Sequence, residues 1–143
     1  MVDPVRDAES GLLNEHYFDA ALPNRVANAR RGLRPIAIGV LAVAEDAAPA
    51  TVAEALTTAL RESDTACRLH DGRYAVLLED TPEDGARRTL ERVVALLGAV
   101  PAWAGVACYP AHALEVGELR AMADAALARA EAAGTSTVAI AGV

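Results

Sequence analysis

The chain has 143 residues, a net charge of −7 and 53% hydrophobic residues. This length is typical of one domain with its own core, and no apolar run is long enough to span a bilayer. All thirteen basic residues are arginine, which excludes chemistry that depends on lysine. We expect a single cytoplasmic domain over residues 1–143, without affinity for membranes or for nucleic acid polymers, whose phosphates need a basic surface.

Apolar periodicity and turn residues predict the elements in chain order. Helices are predicted at 14–31, 51–61, 82–97 and 118–133, and strands at 35–43, 65–69, 73–79, 102–108 and 136–141. Asn14 and Thr81 are expected to be N-caps, Gly134 a C-cap, and Asp71-Gly72 the turn of a hairpin. The order α-β-α-β-β-α-β-α-β predicts an α+β sandwich of ferredoxin-like type, with a mainly antiparallel central sheet flanked by helices.

The cysteines and histidines do not suggest a metal site. Cys67 and Cys108 are too few for a disulfide framework and lack the spacing of zinc ligands. The three histidines are scattered along the chain. We therefore expect two buried, unreactive thiols and no bound metal.

Four stretches, in matching order over nearly the whole chain, resemble the GGDEF domains of diguanylate cyclases. Residues 7–18 (DAESGLLNEHYF) resemble the opening D-x-L-T-G-L-x-N-R-x-x-F, and residues 61–78 (RESDTACRLHDGRYAVLL) resemble R-x-x-D-x-x-x-R-x-G-G-D-E-F-x-x-x-L. Residues 105–110 (GVACYP) and 123–134 (ADAALARAEAAG) resemble the later G-x-A and A-D-x-A-L-Y-x-A-K-x-x-G patterns. The resemblance implies a nucleotidyl-cyclase-like sandwich.

The signature that names this family is replaced in the chain. Its five positions are matched by His70, Asp71, Gly72, Arg73 and Tyr74. The resemblance implies that the third and fourth positions carry carboxylates for catalysis and for the Mg²⁺ that accompanies GTP. Gly72 and Arg73 supply neither, and an arginine there opposes a cation.

Other positions that serve GTP in the family are also changed. The resemblance implies carboxylates where the chain has Ala42 and Ala44, a guanine-binding segment where it has residues 44–50, and phosphate-binding lysine and arginine where it has Glu131 and Thr135. We therefore predict a degenerate, catalytically inactive member with no cofactor. The alternative to an inactive member is an active cyclase, which would produce cyclic di-GMP from GTP.

One binding motif of the family is retained. Many of these cyclases carry an inhibitory R-x-x-D site for cyclic di-GMP, and Arg61 to Asp64 stand in its register, with Arg92 at the position of a further arginine. Arginine can bind guanine O6 and N7 or a phosphate in bidentate fashion, and a carboxylate can accept from guanine N1–H and N2–H₂. The motif predicts a cyclic di-GMP receptor; Arg68 is a weaker candidate because it lies within a strand.

The same motif has a purely structural interpretation. Arg61 and Asp64, three residues apart near a helix end, can pair with each other. The chain would then be a ligand-free interaction or dimerisation module that regulates a partner cyclase or phosphodiesterase. Binding of a different nucleotide is a further alternative. A homodimer or a partner signalling protein is compatible with either function.

Overall fold

The computed structural model describes residues 3–142. Six strands form one sheet: β1 (Leu13–Asn14), β2 (Ile36–Val43), β3 (Thr65–Arg68), β4 (Tyr74–Glu79), β5 (Ala102–Tyr109) and β6 (Thr137–Ile140). Four helices complete the fold: α1 (Glu15–Arg31), α2 (Pro49–Ala59), α3 (Glu83–Leu97) and α4 (Val116–Ala132). The predicted α+β sandwich of sheet and flanking helices is confirmed.

The sheet order is β1-β3-β4-β2-β5-β6. β2 lies at the centre and pairs antiparallel with both β4 and β5, while the outer strands β1 and β6 pair parallel with β3 and β5. The central strands are buried along nearly their whole length, because helices cover both faces of the sheet. This explains their almost continuous apolar sequences.

The sheet separates two hydrophobic clusters. On one face, α2 and α3 pack through side chains such as Leu56 and Leu90. On the other, α1 and α4 pack through side chains such as Phe18 and Leu127. At Gly105 of β5 the backbone of α4 comes so close that an added Cβ would lie 2.3 Å from the carbonyl oxygen of Ala123. Glycine therefore sets the distance between α4 and the sheet.

The predicted helices and strands are all present, with boundary shifts of at most a few residues. The Asn14 side chain caps α1 by accepting from the backbone N–H of Tyr17 at 3.0 Å, as predicted. The hairpin between β3 and β4 turns at Asp71-Gly72, where Gly72 has a φ of 87°. The C-cap of α4 is Ala133 and not the predicted Gly134, which follows it with a φ of 83°.

Two further expectations are corrected by the structure. The short strand β1 was not predicted, because two residues carry no periodicity. The prediction that Thr81 caps α3 is wrong: Pro82 occupies the N-cap, and no side chain caps the helix. The Thr81 hydroxyl instead donates to the carbonyl oxygen of Glu79 at 2.7 Å. Among residues 3–142, no helix combines the length and apolar character needed to cross a membrane.

Candidate functional site

The first four signature positions, His70 to Arg73, lie in the turn between β3 and β4, and the fifth, Tyr74, is the first residue of β4. Asp71 Oδ1 accepts from the backbone N–H of Arg73 at 3.0 Å, which stabilises the turn. His70 is exposed, with its Nδ1 atom 3.4 Å from a carboxylate oxygen of Glu15. Tyr74 begins β4 and is buried, and burial raises the pKa of its hydroxyl. The tip of the hairpin is therefore polar and exposed, whereas its base is anchored in the core.

A cavity of about 380 Å³ lies beside this hairpin, and we call it the cleft. It is lined by Ala42, Val43, Ala44, Glu45, Ala47, Arg68, Asp71, Gly72, Arg73, Tyr74 and Glu131. Arg73 spans it: Nη2 lies 3.5 Å from Glu131 Oε1 in α4, and Nε lies 4.0 Å from Asp71 Oδ2. The arginine at the fourth signature position is thus paired with carboxylates of the chain itself.

A second arginine joins the cleft to the N-terminal segment. Arg68 Nη1 donates to Glu9 Oε1 at 2.8 Å and lies 3.5 Å from Asp7 Oδ2. Its guanidinium carbon is 5.8 Å from the centre of the Tyr74 ring, within the range of a cation–π contact. Arg68 therefore bridges the cleft and the N-terminal segment.

The R-x-x-D segment forms the turn between α2 and β3. Asp64 Oδ2 accepts from the backbone N–H of Arg61 at 3.0 Å and from its Nε at 3.3 Å. Oδ1 accepts from Arg61 Nη2 at 3.3 Å and from the backbone N–H of Glu79 at 3.1 Å. The hydrogen bond with Asp64, followed by its charge, raises the pKa of Arg61. The Asp64 side chain is 3% exposed, so it holds this turn against the end of β4.

Arg61 itself is oriented by the end of β4 and by Thr81, the residue that was expected to cap α3. Its Nη2 donates to the Glu79 carbonyl oxygen and, at 2.7 Å, to the Thr81 hydroxyl. The side chain is nevertheless 58% exposed. Arg61 is thus fixed in direction while part of its guanidinium stays open to solvent.

A groove of about 470 Å³ opens beside Arg61, and we call it the arginine groove. It is lined by Arg61, Asp80, Thr81, Pro82, Gly85, Arg88, Thr89 and Arg92. Arg61 and Arg92, predicted as one site, do meet here. Arg88 was missed, although its spacing of four residues from Arg92 places both on one face of α3. Both are exposed, and neither side chain is hydrogen-bonded or ion-paired within residues 3–142.

The structure does not bring Asp64 into this groove. Asp64 lines a neighbouring cavity of about 460 Å³, between α1, α2 and β3, to which Arg61 also contributes. Arg61 therefore lies on the ridge between the two cavities. The three predicted ligand residues are near one another, but only the two arginines face the same groove.

Comparison with known proteins identifies the family. The family model described as "Diguanylate cyclase, GGDEF domain" matches residues 44–137, more than half of the chain. The chain belongs to the GGDEF domain family. No curated protein sequence matches it significantly.

Solved structures agree with the family fold. The GGDEF domain of YfiN (TpbB) from Pseudomonas aeruginosa has a TM-score of 0.86 at 24% identity, over 95% of this chain and 94% of that one. The GGDEF domain of DgcB from Caulobacter crescentus, solved in complex with c-di-GMP, has a TM-score of 0.88 at 20% identity, over 100% and 96%. The FimX GGDEF domain from Pseudomonas aeruginosa has a TM-score of 0.86 at 16% identity, over 95% and 99%.

The residues of the cleft do not fit the magnesium ion that the family implies. Two of its carboxylates, Asp71 and Glu131, already face the guanidinium of Arg73. Ala42 and Ala44, at the end of β2, present methyl groups to the cavity. Within residues 3–142, no three His, Cys, Asp or Glu side chains are grouped as metal ligands. A divalent cation bound by Asp71 or Glu131 would have to displace Arg73 from its ion pairs.

Proposed function

We propose that this GGDEF domain binds cyclic di-GMP through Arg61, Arg88 and Arg92 and does not synthesise it. The observation that carries the proposal is that three arginines line one open groove on a chain whose net charge is −7. A local excess of positive charge on an acidic protein favours an anionic ligand. Two arginines of this groove have no partner in the part of the chain that the structure describes.

The groove suits the chemistry of this nucleotide. Arg61 is already paired with Asp64, but Arg88 and Arg92 offer two unpaired guanidiniums to cyclic di-GMP, which carries two phosphodiester charges. Guanidinium groups bind phosphate oxygens, or guanine O6 and N7, through paired N–H donors. The DgcB GGDEF domain, which has the same fold, was solved with c-di-GMP bound. The charge and the hydrogen-bonding chemistry of the groove are therefore compatible with cyclic di-GMP.

The cleft supports the proposal that the chain does not synthesise cyclic di-GMP. Joining two GTP molecules needs anionic oxygens to hold the metal at the triphosphate. Here Arg73 occupies the turn, and the methyl groups of Ala42 and Ala44 lie where the resemblance implies carboxylates. Glu131 adds negative charge where it implies a phosphate-binding lysine. The cleft therefore lacks the metal-binding carboxylates and the phosphate-binding lysine that the resemblance implies for a magnesium–GTP complex.

Isothermal titration calorimetry with cyclic di-GMP tests binding. Arg92→Ala removes an exposed, unpaired side chain, so we expect a folded protein with at least about tenfold weaker binding. Arg87→Ala is the matched control, since it removes the same charge from the same helix at a residue outside the groove. Absence of heat with the wild-type protein, or equal losses in the two variants, would contradict the proposal.

Incubation with GTP and Mg²⁺, followed by chromatography, tests the lack of synthesis. We expect no cyclic di-GMP above the level of a protein-free control, with an active diguanylate cyclase as the positive control. Product formation by the wild-type chain would overturn this half of the proposal and leave the binding half intact.

A ligand-free interaction module is the second candidate function. The observation that favours it is the internal pairing of Arg61 with Asp64, which satisfies both side chains without a ligand. Co-purification of a partner cyclase or phosphodiesterase that is insensitive to added cyclic di-GMP, together with no calorimetric signal, would establish it.

A further inference from the structure

The two edges of the sheet differ in how their backbone groups are covered. At β1, the N-terminal segment of the same chain lies along the outer side: the backbone N–H of Asn14 donates to the carbonyl oxygen of Val5, and that of Asp7 to the carbonyl oxygen of Leu12, each at 2.8 Å. At the opposite edge, β6 pairs only with β5 among residues 3–142. The outer side of β6 is therefore an open strand edge.

The direction of the backbone groups in β6 follows from two hydrogen bonds. The N–H of Ala141 donates to the carbonyl oxygen of Val106 in β5 at 2.8 Å. Because N–H and C=O groups reverse direction at each residue of a strand, Val138 and Ile140 direct theirs outward. Arg129 of α4 agrees with this direction, since its Nη2 donates to the carbonyl oxygen of Ile140 at 2.7 Å. The outward N–H and C=O of Val138 have no partner in the described part of the chain.

The sequence of this edge does not protect it from another strand. Edge strands are usually protected by charged side chains, by proline or by a bulge. Residues 135–141 (TSTVAIA) contain no charge and no proline, and their threonine, valine and isoleucine favour strands. The register of β6 on β5 runs without a bulge from Thr137 to Ile140. On a chain whose net charge is −7, two copies can therefore approach along this strand without placing like charges opposite each other.

We infer that β6 is a contact between two copies of this chain, which pair their edge strands antiparallel. A second copy fits because a strand paired with itself in this way is related by a two-fold axis, so the outward donors of each copy meet outward acceptors of the other. The two six-stranded sheets then join into one continuous sheet. Only a few hydrogen bonds are formed, so the association is weak and depends on concentration. This inference does not rest on the binding of cyclic di-GMP.

The mass of the nucleotide-free wild-type protein in solution is the first test. Sedimentation equilibrium over a series of concentrations should show an average mass that rises from the monomer value of 14.8 kDa toward twice that value. A protein that stays monomeric over the whole series would overturn the inference, and the open edge would then be left for a strand of a different protein.

The Val138→Pro variant tests whether association uses this edge. Proline removes the outward N–H, in both copies at once because of the two-fold axis, and leaves the residues that bond to β5 unchanged. We expect dimerisation to be at least about tenfold weaker. Val138→Ala is the matched control, because it removes the valine side chain but keeps the N–H, and it should associate like the wild type. Equal dissociation constants for the two variants would overturn the inference.

Amide hydrogen exchange of the wild type decides the question if Val138→Pro does not fold. Exchange of the Val138 N–H should slow as the protein concentration rises, because pairing with a second strand protects it. The N–H of Ala139, which faces β5, is the internal control and should change less. Exchange at Val138 that is independent of concentration, or that changes no more than at Ala139, would overturn the inference.

Discussion

Arg73 and Glu131 face each other across the cleft, with Nη2 of the arginine 3.5 Å from Oε1 of the glutamate. The pair joins the hairpin tip to the end of α4. By the family resemblance, position 73 would hold a carboxylate and position 131 a lysine. The chain therefore has opposite charges at the two positions, with their signs exchanged relative to the family pattern, and the two side chains attract each other.

This ion pair should add little to stability. Both side chains are more than a third exposed, at 38% and 39%, and exposed pairs contribute about 0.2–1 kcal/mol. A double-mutant cycle of Arg73→Ala and Glu131→Ala, followed by urea denaturation, should give a coupling in that range. High salt should reduce it further. A coupling well above 1 kcal/mol at high salt would show that the pair is more shielded than its exposure indicates.

Gly105→Ala should be strongly destabilising. Its Cβ would lie 2.3 Å from two backbone atoms of α4, so the helix must move away from the sheet. We expect a loss of at least about 2 kcal/mol in the free energy of unfolding, measured with urea. Gly117→Ala in α4 is the control, since an added Cβ there meets nothing within 4 Å. That variant should gain up to about 1 kcal/mol.

An equal change in the free energy of unfolding for Gly105→Ala and Gly117→Ala would contradict the tight packing of α4 on Gly105. A neutral Gly105→Ala would mean that α4 can shift outward at low cost. The close packing against β5 would then not be fixed by the missing side chain.

Asp7 should make stability depend on pH in the acid range. Burial raises the pKa of this carboxyl, but hydrogen bonds from the hydroxyl and backbone N–H of Ser10 and the charge of Arg68 outweigh burial and lower it. A lowered folded pKa stabilises the protein above the unfolded pKa of about 3.9, and this contribution is lost as pH falls through the folded value. Asp7→Asn should therefore be less stable than wild type at pH 7.

The difference in stability between the wild type and Asp7→Asn should become smaller as pH falls below 4. Thermal melts of both proteins between pH 3 and pH 7 would measure it, with Asp46→Asn in an exposed loop as the control for loss of charge alone. A difference that stays constant over this range would show that the carboxylate charge of Asp7 is not what stabilises the segment.

The two cysteines should be unreactive in the native protein. Burial raises the pKa of the thiols of Cys67 and Cys108 to about 12, so almost no thiolate forms at pH 8. Ellman's reagent should react slowly with the native chain and rapidly with both thiols in denaturant. Fast reaction of one thiol in the native state would reveal local opening around that strand.

Much of the fold could be predicted because its central strands are apolar and its turns carry glycine, proline and asparagine. The run from Ile36 to Val43 has no polar residue, which predicts a strand buried on both faces. The prediction that Thr81 caps α3 was wrong because its hydroxyl donates to the carbonyl oxygen of Glu79 and accepts from Arg61. The Thr81 hydroxyl, which the local sequence pattern had assigned to α3 as a cap, is engaged by Arg61 from the turn between α2 and β3.

The candidate site was predictable only in part. Register against the family pattern identified Arg61 and Arg92, which the structure places in one groove. Sequence alone could not show that Asp64 faces away, because that depends on its hydrogen bond to the backbone N–H of Glu79, fifteen residues further along.

The cleft and the arginine groove lie at opposite ends of β4, the cleft beside Tyr74 and the groove beside Asp80. At about 3.3 Å per residue, the strand from Tyr74 to Glu79 separates them by roughly 17 Å. Changes that far apart, with no shared neighbour, normally combine additively. Substitutions at the hairpin therefore need not disturb the arginine groove at the far end of β4, and the two regions can be engineered separately.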